Sequence, residues 1–248
     1  MNFQQRRALI LQAVEERGTV DVPDLAALLA TSAMTIRRDL AQLADDGLLY
    51  RTHGGAMRLA DATVSFARKA VSHPERKEAI CRRAAGEIQT GDVIFMDCGS
   101  TVAQLCPFIR HHRITVITNS LPVVSALSGS LVTINLIGGE LDQARQAVHG
   151  QMATDHISRY HADRAFLGVD GISLARGLSA SGEQEASLTK AMAQQADRVY
   201  LLCDSSKLET EKYLYFAPLS LFDVLITDPQ ASPSVIDAYR QAGITVFQ

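Results

Sequence analysis

The sequence predicts an α/β protein in two parts, an N-terminal winged helix-turn-helix followed by a larger α/β domain with a mainly parallel sheet. Residues 4–58 show three helical patterns and then a short hairpin, which is the order of elements in a winged helix. From Pro74 onward, apolar strands alternate with helices, as is typical of α/β domains. The length of 248 residues suits one large domain or two smaller ones, and the change of pattern favours two. We therefore expect a small domain over 1–58, a polar linker over 59–73 and the α/β domain over 74–248.

Composition excludes several classes of protein. The net charge of −3 and pI of about 6.2 exclude a protein that coats nucleic acid through bulk charge, but not one with a local basic surface. The four cysteines are scattered without a C-x-x-C pair, so neither a metal site nor a disulfide framework is expected. No apolar run reaches the length of a membrane span, and the N-terminus lacks a signal-peptide pattern. We expect a cytoplasmic protein without membrane contact, metal or cofactor.

Local signals define the N-terminal elements. The three helices are expected at Gln4–Glu16, at Val22–Ala30 and from a cap at Thr31 or Ser32 to Asp46. Gly18 and Gly47 are placed to end the first and third helices, and Pro23 lies near the start of the second, where proline is tolerated. The stretch LLYRTHGGAMRL predicts two short strands that turn at Gly54-Gly55.

The third helix has one apolar and one polar face. At 100° per residue, Ile36, Leu40 and Leu43 form a buried stripe, while Arg38 lies near the centre of the opposite face and Arg37 on its flank. Arginine suits bidentate contact with guanine, and its neighbour can reach a phosphate. The alternative is a solvated face on which an arginine pairs with a nearby acid, Asp39 or Asp45. The candidate DNA contacts are Ser32, Met34, Thr35, Arg37, Arg38, Gln42, Arg51 and His53.

The charge of this domain does not decide between these two interpretations. Residues 1–58 hold seven basic and seven acidic side chains, so the domain is neutral overall. The interpretation as a DNA-binding domain therefore rests on where the charges lie and on the cationic residues of the hairpin.

Seven apolar runs of the second domain predict buried strands of a mainly parallel sheet. They are Val93–Met96, Ile114–Thr118, Val132–Ile137, Ala165–Gly168, Val199–Cys203, Val224–Thr227 and Ile244–Phe247. Helices are expected between them, at Pro74–Ile88, Val102–Ile109, Leu121–Leu127, Gln184–Ala196 and Pro233–Ala242. In such sheets ligands bind beyond the carboxyl ends of the strands.

Polar and glycine residues follow these strands and form the candidate ligand site. Gly99-Ser100-Thr101 lies between a strand and a helix, so it fits either a phosphate-binding loop or a tight turn capped by Ser100. Lys207 would meet a negative charge, but it also fits a surface loop. Acids and amides after strands can bind sugar hydroxyls or serve as turn residues. The candidates are Asp97, Gly99, Ser100, Thr101, Asn119, Ser120, Gly138, Gly139, Asp170 and Lys207, with Asp204 considered beside them.

Two motifs together resemble the DeoR family of bacterial transcriptional repressors: S-x-x-T-I-R-R-D-L at Ser32–Leu40 and R-T-H-G-G-A at Arg51–Ala56. The resemblance continues through MDCGST, ITNS, LIGGEL, FLGVDGIS and LLCDSSK in the second domain. It implies an operator-binding head and a sugar-phosphate sensor domain with a fold similar to ribose-5-phosphate isomerase. The partners would be double-stranded operator DNA and a phosphorylated sugar. Since one winged helix offers a small contact area, we also expect a dimer or tetramer.

An enzyme is the alternative function. A sugar-phosphate isomerase would use Glu183 or Glu185 as a base beside Lys207, but an isomerase has no use for a winged helix. The chain also departs from the E-x-x-x-K pattern that the family usually shows. Glu185 is followed at that spacing by Thr189, with Lys190 next to it, so the role of Lys190 is open.

Overall fold

The computed structural model describes residues 3–45, 48–51, 54–58, 66–70 and 72–248. The chain forms two compact units, Met1–Ser65 and Phe66–Gln248. None of the helices in these ranges is long and apolar enough to cross a lipid bilayer.

The first unit is a helical domain with a small sheet. Its elements are α1 (Phe3–Arg17), β1 (Thr19–Asp21), α2 (Val22–Leu28), α3 (Ala33–Asp45), β2 (Tyr50–Arg51) and β3 (Gly55–Met57). The three predicted helices and the two hairpin strands are all present. Ile10, Leu25, Ile36, Leu40 and Leu43 form the centre of the core, each no more than 1% exposed. The predicted stop of the third helix at Asp46-Gly47 lies outside the described residues.

Strand β1 was not predicted, and it explains one glycine. The sheet has the order β1-β3-β2, and Gly55 pairs with Asp21 inside the ladder. A Cβ at Gly55 would lie 1.9 Å from the Val20 carbonyl oxygen. The prediction that the hairpin turns at Gly54-Gly55 is therefore wrong for Gly55, which is a strand residue that needs glycine because β1 passes so close.

The second unit is built on a sheet of seven parallel strands. They are β4 (Val93–Met96), β5 (Thr115–Thr118), β6 (Thr133–Leu136), β9 (Ala162–Leu167), β12 (Ala196–Leu202), β14 (Val224–Ile226) and β15 (Thr245–Phe247). Their order across the sheet is β15-β14-β12-β9-β4-β5-β6. All seven predicted strands are confirmed. Two apolar cores cover the sheet, one on each face, as expected for a parallel sheet.

Helices and short ribbons surround this sheet. The helices are α4 (Phe66–Ala70), α5 (Pro74–Ala85), α6 (Ser100–Ala103), α7 (Cys106–Ile109), α8 (Leu121–Leu127), α9 (Gln151–Ile157), α10 (Glu183–Gln194) and α11 (Pro233–Gln241). Two small antiparallel sheets were not predicted. They consist of β7 (Glu140–Asp142) with β8 (Ala147–His149), and of β10 (Gly171–Ser173), β11 (Gly177–Ala180) and β13 (Leu214–Ala217).

Two sequence expectations differ from the structure. The helix expected over Val102–Ile109 is split into α6 and α7, because Pro107 has no amide hydrogen to donate to the Ala103 carbonyl. The expected linker over 59–73 contains α4, which belongs to the second unit. Residues 59–65 lie outside the described residues.

Candidate functional site

Helix α3 begins at a side-chain cap. The Ser32 hydroxyl accepts a hydrogen bond from the Thr35 amide at 3.1 Å and lies 2.9 Å from the Thr35 hydroxyl. Ser32 therefore holds the first turn of the helix, which is the preferred role of serine at this position. The predicted stripe of Ile36, Leu40 and Leu43 is fully buried.

The opposite face of α3 is open to solvent. Arg37, Arg38 and Gln42 are exposed, and Met34 is 71% exposed. One shallow depression on this face is lined by Phe3, Arg6, Met34, Thr35, Arg38, Asp39 and Gln42. The structure therefore brings four of the candidate DNA contacts together with two residues of α1, Phe3 and Arg6, that sequence reasoning missed.

Asp39 decides between the two interpretations of the adjacent arginines. Its side chain is buried and forms a bidentate ion pair with Arg6. Arg6 Nε donates to Asp39 Oδ2 at 2.5 Å, and Arg6 Nη2 donates to Asp39 Oδ1 at 3.0 Å. Within the described ranges, neither Arg37 nor Arg38 forms an ion pair. Both arginines are exposed to solvent. The side chains of Asp45 and Arg51, and all of His53, lie outside the described residues.

The loop after β4 is fixed by Asp97. The Gly99 amide donates to Asp97 Oδ1 at 2.7 Å, and the Gly168 amide at the end of β9 donates to Oδ2 at 2.6 Å. Burial raises the pKa of Asp97, although the two amides oppose that shift. Each oxygen accepts one backbone amide, so Asp97 joins the loop after β4 to the end of β9.

A buried lysine that the sequence did not reveal lies beside this loop. Lys77 of α5 is 1% exposed, and its ammonium donates to the Ser100 hydroxyl at 3.1 Å and to the Lys69 carbonyl oxygen. Burial and then the charge of Lys207 lower the pKa of Lys77. The Thr101 hydroxyl is also buried, and no hydrogen-bond partner for it occurs in the described part of the chain. Helix α6 has only four residues, so the lysines, not a helix dipole, supply positive potential here.

Lys207 and Asp170 complete this edge of the sheet. Lys207 Nζ donates to the Val169 carbonyl at 2.7 Å, while Asp170 accepts from Lys69 Nζ at 2.7 Å and from the Ser181 amide at 3.0 Å. Burial disfavours the charged form of Asp170, but Lys69 and the Ser181 amide outweigh it and hold the pKa of Asp170 well below its usual range. Asp204 caps the short 3₁₀ turn at Ser205–Lys207, where its side chain accepts from the Ser206 amide.

The remaining predicted ligand residues contact the β7–β8 ribbon and the helices α8 and α9. Asn119 is buried and donates to the Val148 carbonyl at 2.9 Å, and Ser120 caps α8 by accepting from the Val123 amide. Gly139 has φ of 153°, and a Cβ there would lie 2.7 Å from the His149 carbonyl oxygen. The Gly138 amide donates to His156 Nδ1 at 3.2 Å. Asn119 and Ser120 follow β5, the neighbour of β4 in the sheet, whereas Gly138 and Gly139 follow β6, one strand further from β4.

The carboxylates of the enzyme alternative are placed differently from one another. Glu183 is exposed, whereas Glu185 forms an ion pair with the largely buried Arg145. Burial and the neighbouring Asp170 raise the pKa of Glu185, against the effect of Arg145. Thr189 is buried and Lys190 is exposed on α10.

Comparison with known proteins covers both units. Residues 6–61 match the DeoR-like helix-turn-helix domain, and residues 72–229 match the DeoR C-terminal sensor domain. A putative aga operon transcriptional repressor of Escherichia coli O157:H7 is 32% identical over 98% of this chain and 93% of its own. The transcriptional repressor GlcR of Bacillus subtilis is 31% identical over 100% of this chain and 96% of its own.

A solved ribose 5-phosphate isomerase A from Methanocaldococcus jannaschii aligns with 57% of this chain and 57% of its own, at a TM-score of 0.42 and 21% identity. The family matches extend over both structural units, and the two repressors align with nearly the whole chain. The chain therefore belongs to the DeoR family of transcriptional regulators.

Proposed function

We propose that this protein is an operator-binding repressor of a carbohydrate-utilisation operon and that a phosphorylated sugar controls it. Relatives of similar length are named as repressors of the aga operon and of the lactose phosphotransferase system. The first unit supplies the DNA contact through the exposed face of α3, with Arg38 at a base edge and Arg37 at a phosphate. The second unit binds the effector at the carboxyl ends of its strands and does not catalyse a reaction.

The observation that carries the effector site is the position of Lys77. A lysine ammonium is seldom buried without a carboxylate in contact, because burial costs several kcal/mol unless the charge is compensated. Lys77 instead contacts the Ser100 hydroxyl and a carbonyl. Burial, Lys207 and Lys69 lower its pKa, and the nearby carboxylate of Asp204 offsets this only in part. A phosphate dianion on Ser100 and Thr101 supplies further negative charge and accepts from these donors.

The isomerase alternative receives no support from this arrangement. Glu185, the better-placed of the two candidate bases, is held in an ion pair by Arg145. An enzyme of this kind needs a carboxylate that is free to take a proton from the substrate.

Calorimetry with the full chain tests the effector site. Across a panel of sugar phosphates and the corresponding free sugars, we expect binding of phosphorylated members only. Lys207→Ala should weaken that binding about tenfold or more, because it removes one charge-assisted hydrogen bond of roughly 1.5–3 kcal/mol. Lys190→Ala, which removes an exposed lysine of α10, is the matched control and should bind as the wild type does. Free sugars that bind as tightly as their phosphates would contradict the proposal.

A further inference from the structure

Helix α4 is attached to the second unit at both of its ends. The Phe66 amide donates to the Ala144 carbonyl at 2.9 Å, in the turn of the β7–β8 ribbon. At the other end, the Ala70 carbonyl accepts from the Gln104 side chain at 3.4 Å, just after α6. This short helix therefore lies between the ribbon and the loop that carries Ser100.

Lys69 connects α4 to the candidate effector site in two ways. Its ammonium forms an ion pair with Asp170 at 2.7 Å, and its carbonyl oxygen accepts from Lys77. Lys77 also donates to Ser100 at 3.1 Å and lies 3.4 Å from the Ser72 hydroxyl, just beyond α4. The ammonium of Lys77 is thus shared between the backbone of this helix and the proposed phosphate-binding loop.

The charges around this contact favour an anion. Burial lowers the pKa of Lys77 most, and the positive charges of Lys207 and Lys69 lower it further, while the carboxylate of Asp204 opposes them. Asp170 is the carboxylate in contact with Lys69, and it is partly buried against the Ser181 amide. A dianion on Ser100 attracts Lys77, Lys207 and Lys69 together, so its binding favours a position of α4 that keeps Lys69 close.

We infer that Lys69 is a ligand-binding residue and that α4 forms one wall of the effector site, so that occupancy of the site holds α4 more tightly against the second unit. The inference rests on the proposed function, since it takes the phosphate group of the effector as the anion. Helix α4 is the first described element after the segment that joins the two units along the chain. Tightening it would therefore give effector binding a direct route to the DNA-binding unit.

Hydrogen exchange of the full chain tests this inference with inorganic phosphate as the probe and sodium chloride at equal ionic strength as the blank. At a phosphate concentration ten times its Kd, amide exchange within residues 66–70 should slow by about tenfold. Lys69→Gln should weaken phosphate binding, measured by calorimetry, by about tenfold, and at the same phosphate concentration it should therefore reduce the protection to about twofold. Lys190→Gln removes an exposed lysine of α10 and should behave as the wild type in both measurements.

The possible outcomes separate the two proposals. If phosphate binds the wild type but exchange in α4 is unchanged or faster, α4 is not a wall of the site, and the proposed function stands. The same conclusion follows if Lys69→Gln binds phosphate as tightly as the wild type. If phosphate does not bind the wild type at all, the anion site is absent and both proposals fail.

Discussion

Arg37 and Arg38 are neighbours in the sequence, yet α3 gives them different surroundings. Arg38 lines the shallow depression with Met34 and Gln42, whereas Arg37 does not line it. Their acidic neighbour Asp39 is turned inward and occupied by Arg6, 33 residues away. Asp39 is therefore not available to pair with Arg37 or Arg38, and both can contact DNA. Of the two, only Arg38 lines the depression on the exposed face.

This difference predicts two distinct phenotypes. Arg38→Ala should cost about 1–3 kcal/mol of operator affinity and relax sequence specificity, because it removes a contact with a base edge. Arg37→Ala should weaken all DNA sequences alike and reduce the slope of log K against log salt by about 0.9, the value for one phosphate contact. Titrations of operator and mismatched DNA over a salt series measure both effects. An unchanged operator footprint for Arg38→Ala would refute its assignment.

At the scale of elements, β1 is an edge strand of the small sheet of the first unit and pairs with β3. It contributes Thr19–Asp21 to the ladder with β3, and Gly55 allows the approach. The adjacent Gly54 has open space, since the nearest atom to its Cβ would be Asp21 Oδ1 at 3.9 Å. Two consecutive glycines thus have different structural requirements.

We therefore expect Gly55→Ala to destabilise the protein and Gly54→Ala to be tolerated. The added methyl at Gly55 overlaps the Val20 carbonyl and must push β1 from β3, which should cost about 1–3 kcal/mol or more. Thermal or urea unfolding of the two variants, compared with the wild type, measures the difference. Equal stability of the two variants would show that β1 does not pack on Gly55 in solution.

On the scale of the whole molecule, one DNA-binding unit presents a small surface. Its candidate contacts come from α3 and the hairpin, and residues 1–58 have no net positive charge to add nonspecific affinity. We therefore expect useful affinity for an operator to need two or more heads in one assembly, since linked heads bind with a high effective concentration.

We accordingly expect a dimer or tetramer held together by the second unit. Light scattering of the full chain at micromolar concentration should give at least twice the mass of 26.9 kDa. A chain beginning at Phe66 should show the same assembly state and no operator binding. Tight operator binding by a full chain that scatters as a monomer would contradict this expectation.

The sequence by itself determined the order and type of the main elements. Continuous apolar runs identified the seven parallel strands, and the helical spacing of apolar residues identified the three helices of the first unit, because hydrophobic patterning is a local signal. It also placed Ile36, Leu40 and Leu43 on the buried face of α3, as the structure shows. Motifs in the same local stretches identified the family. The strands β1 and β7 were missed, since neither lies in an apolar run of the sequence.

Only the tertiary structure decided which polar side chains meet. Lys77 reaches Ser100 across 23 residues, Asp97 reaches Gly168 across 71, and Lys69 reaches Asp170 across 101. A helix pattern shows that Lys77 is polar but not that its ammonium is buried at a sheet edge. Likewise, the pattern after β4 could not show that Asp97 is occupied by backbone amides. Such contacts depend on how parallel strands are ordered in the sheet, and strand order leaves no periodic trace in the sequence.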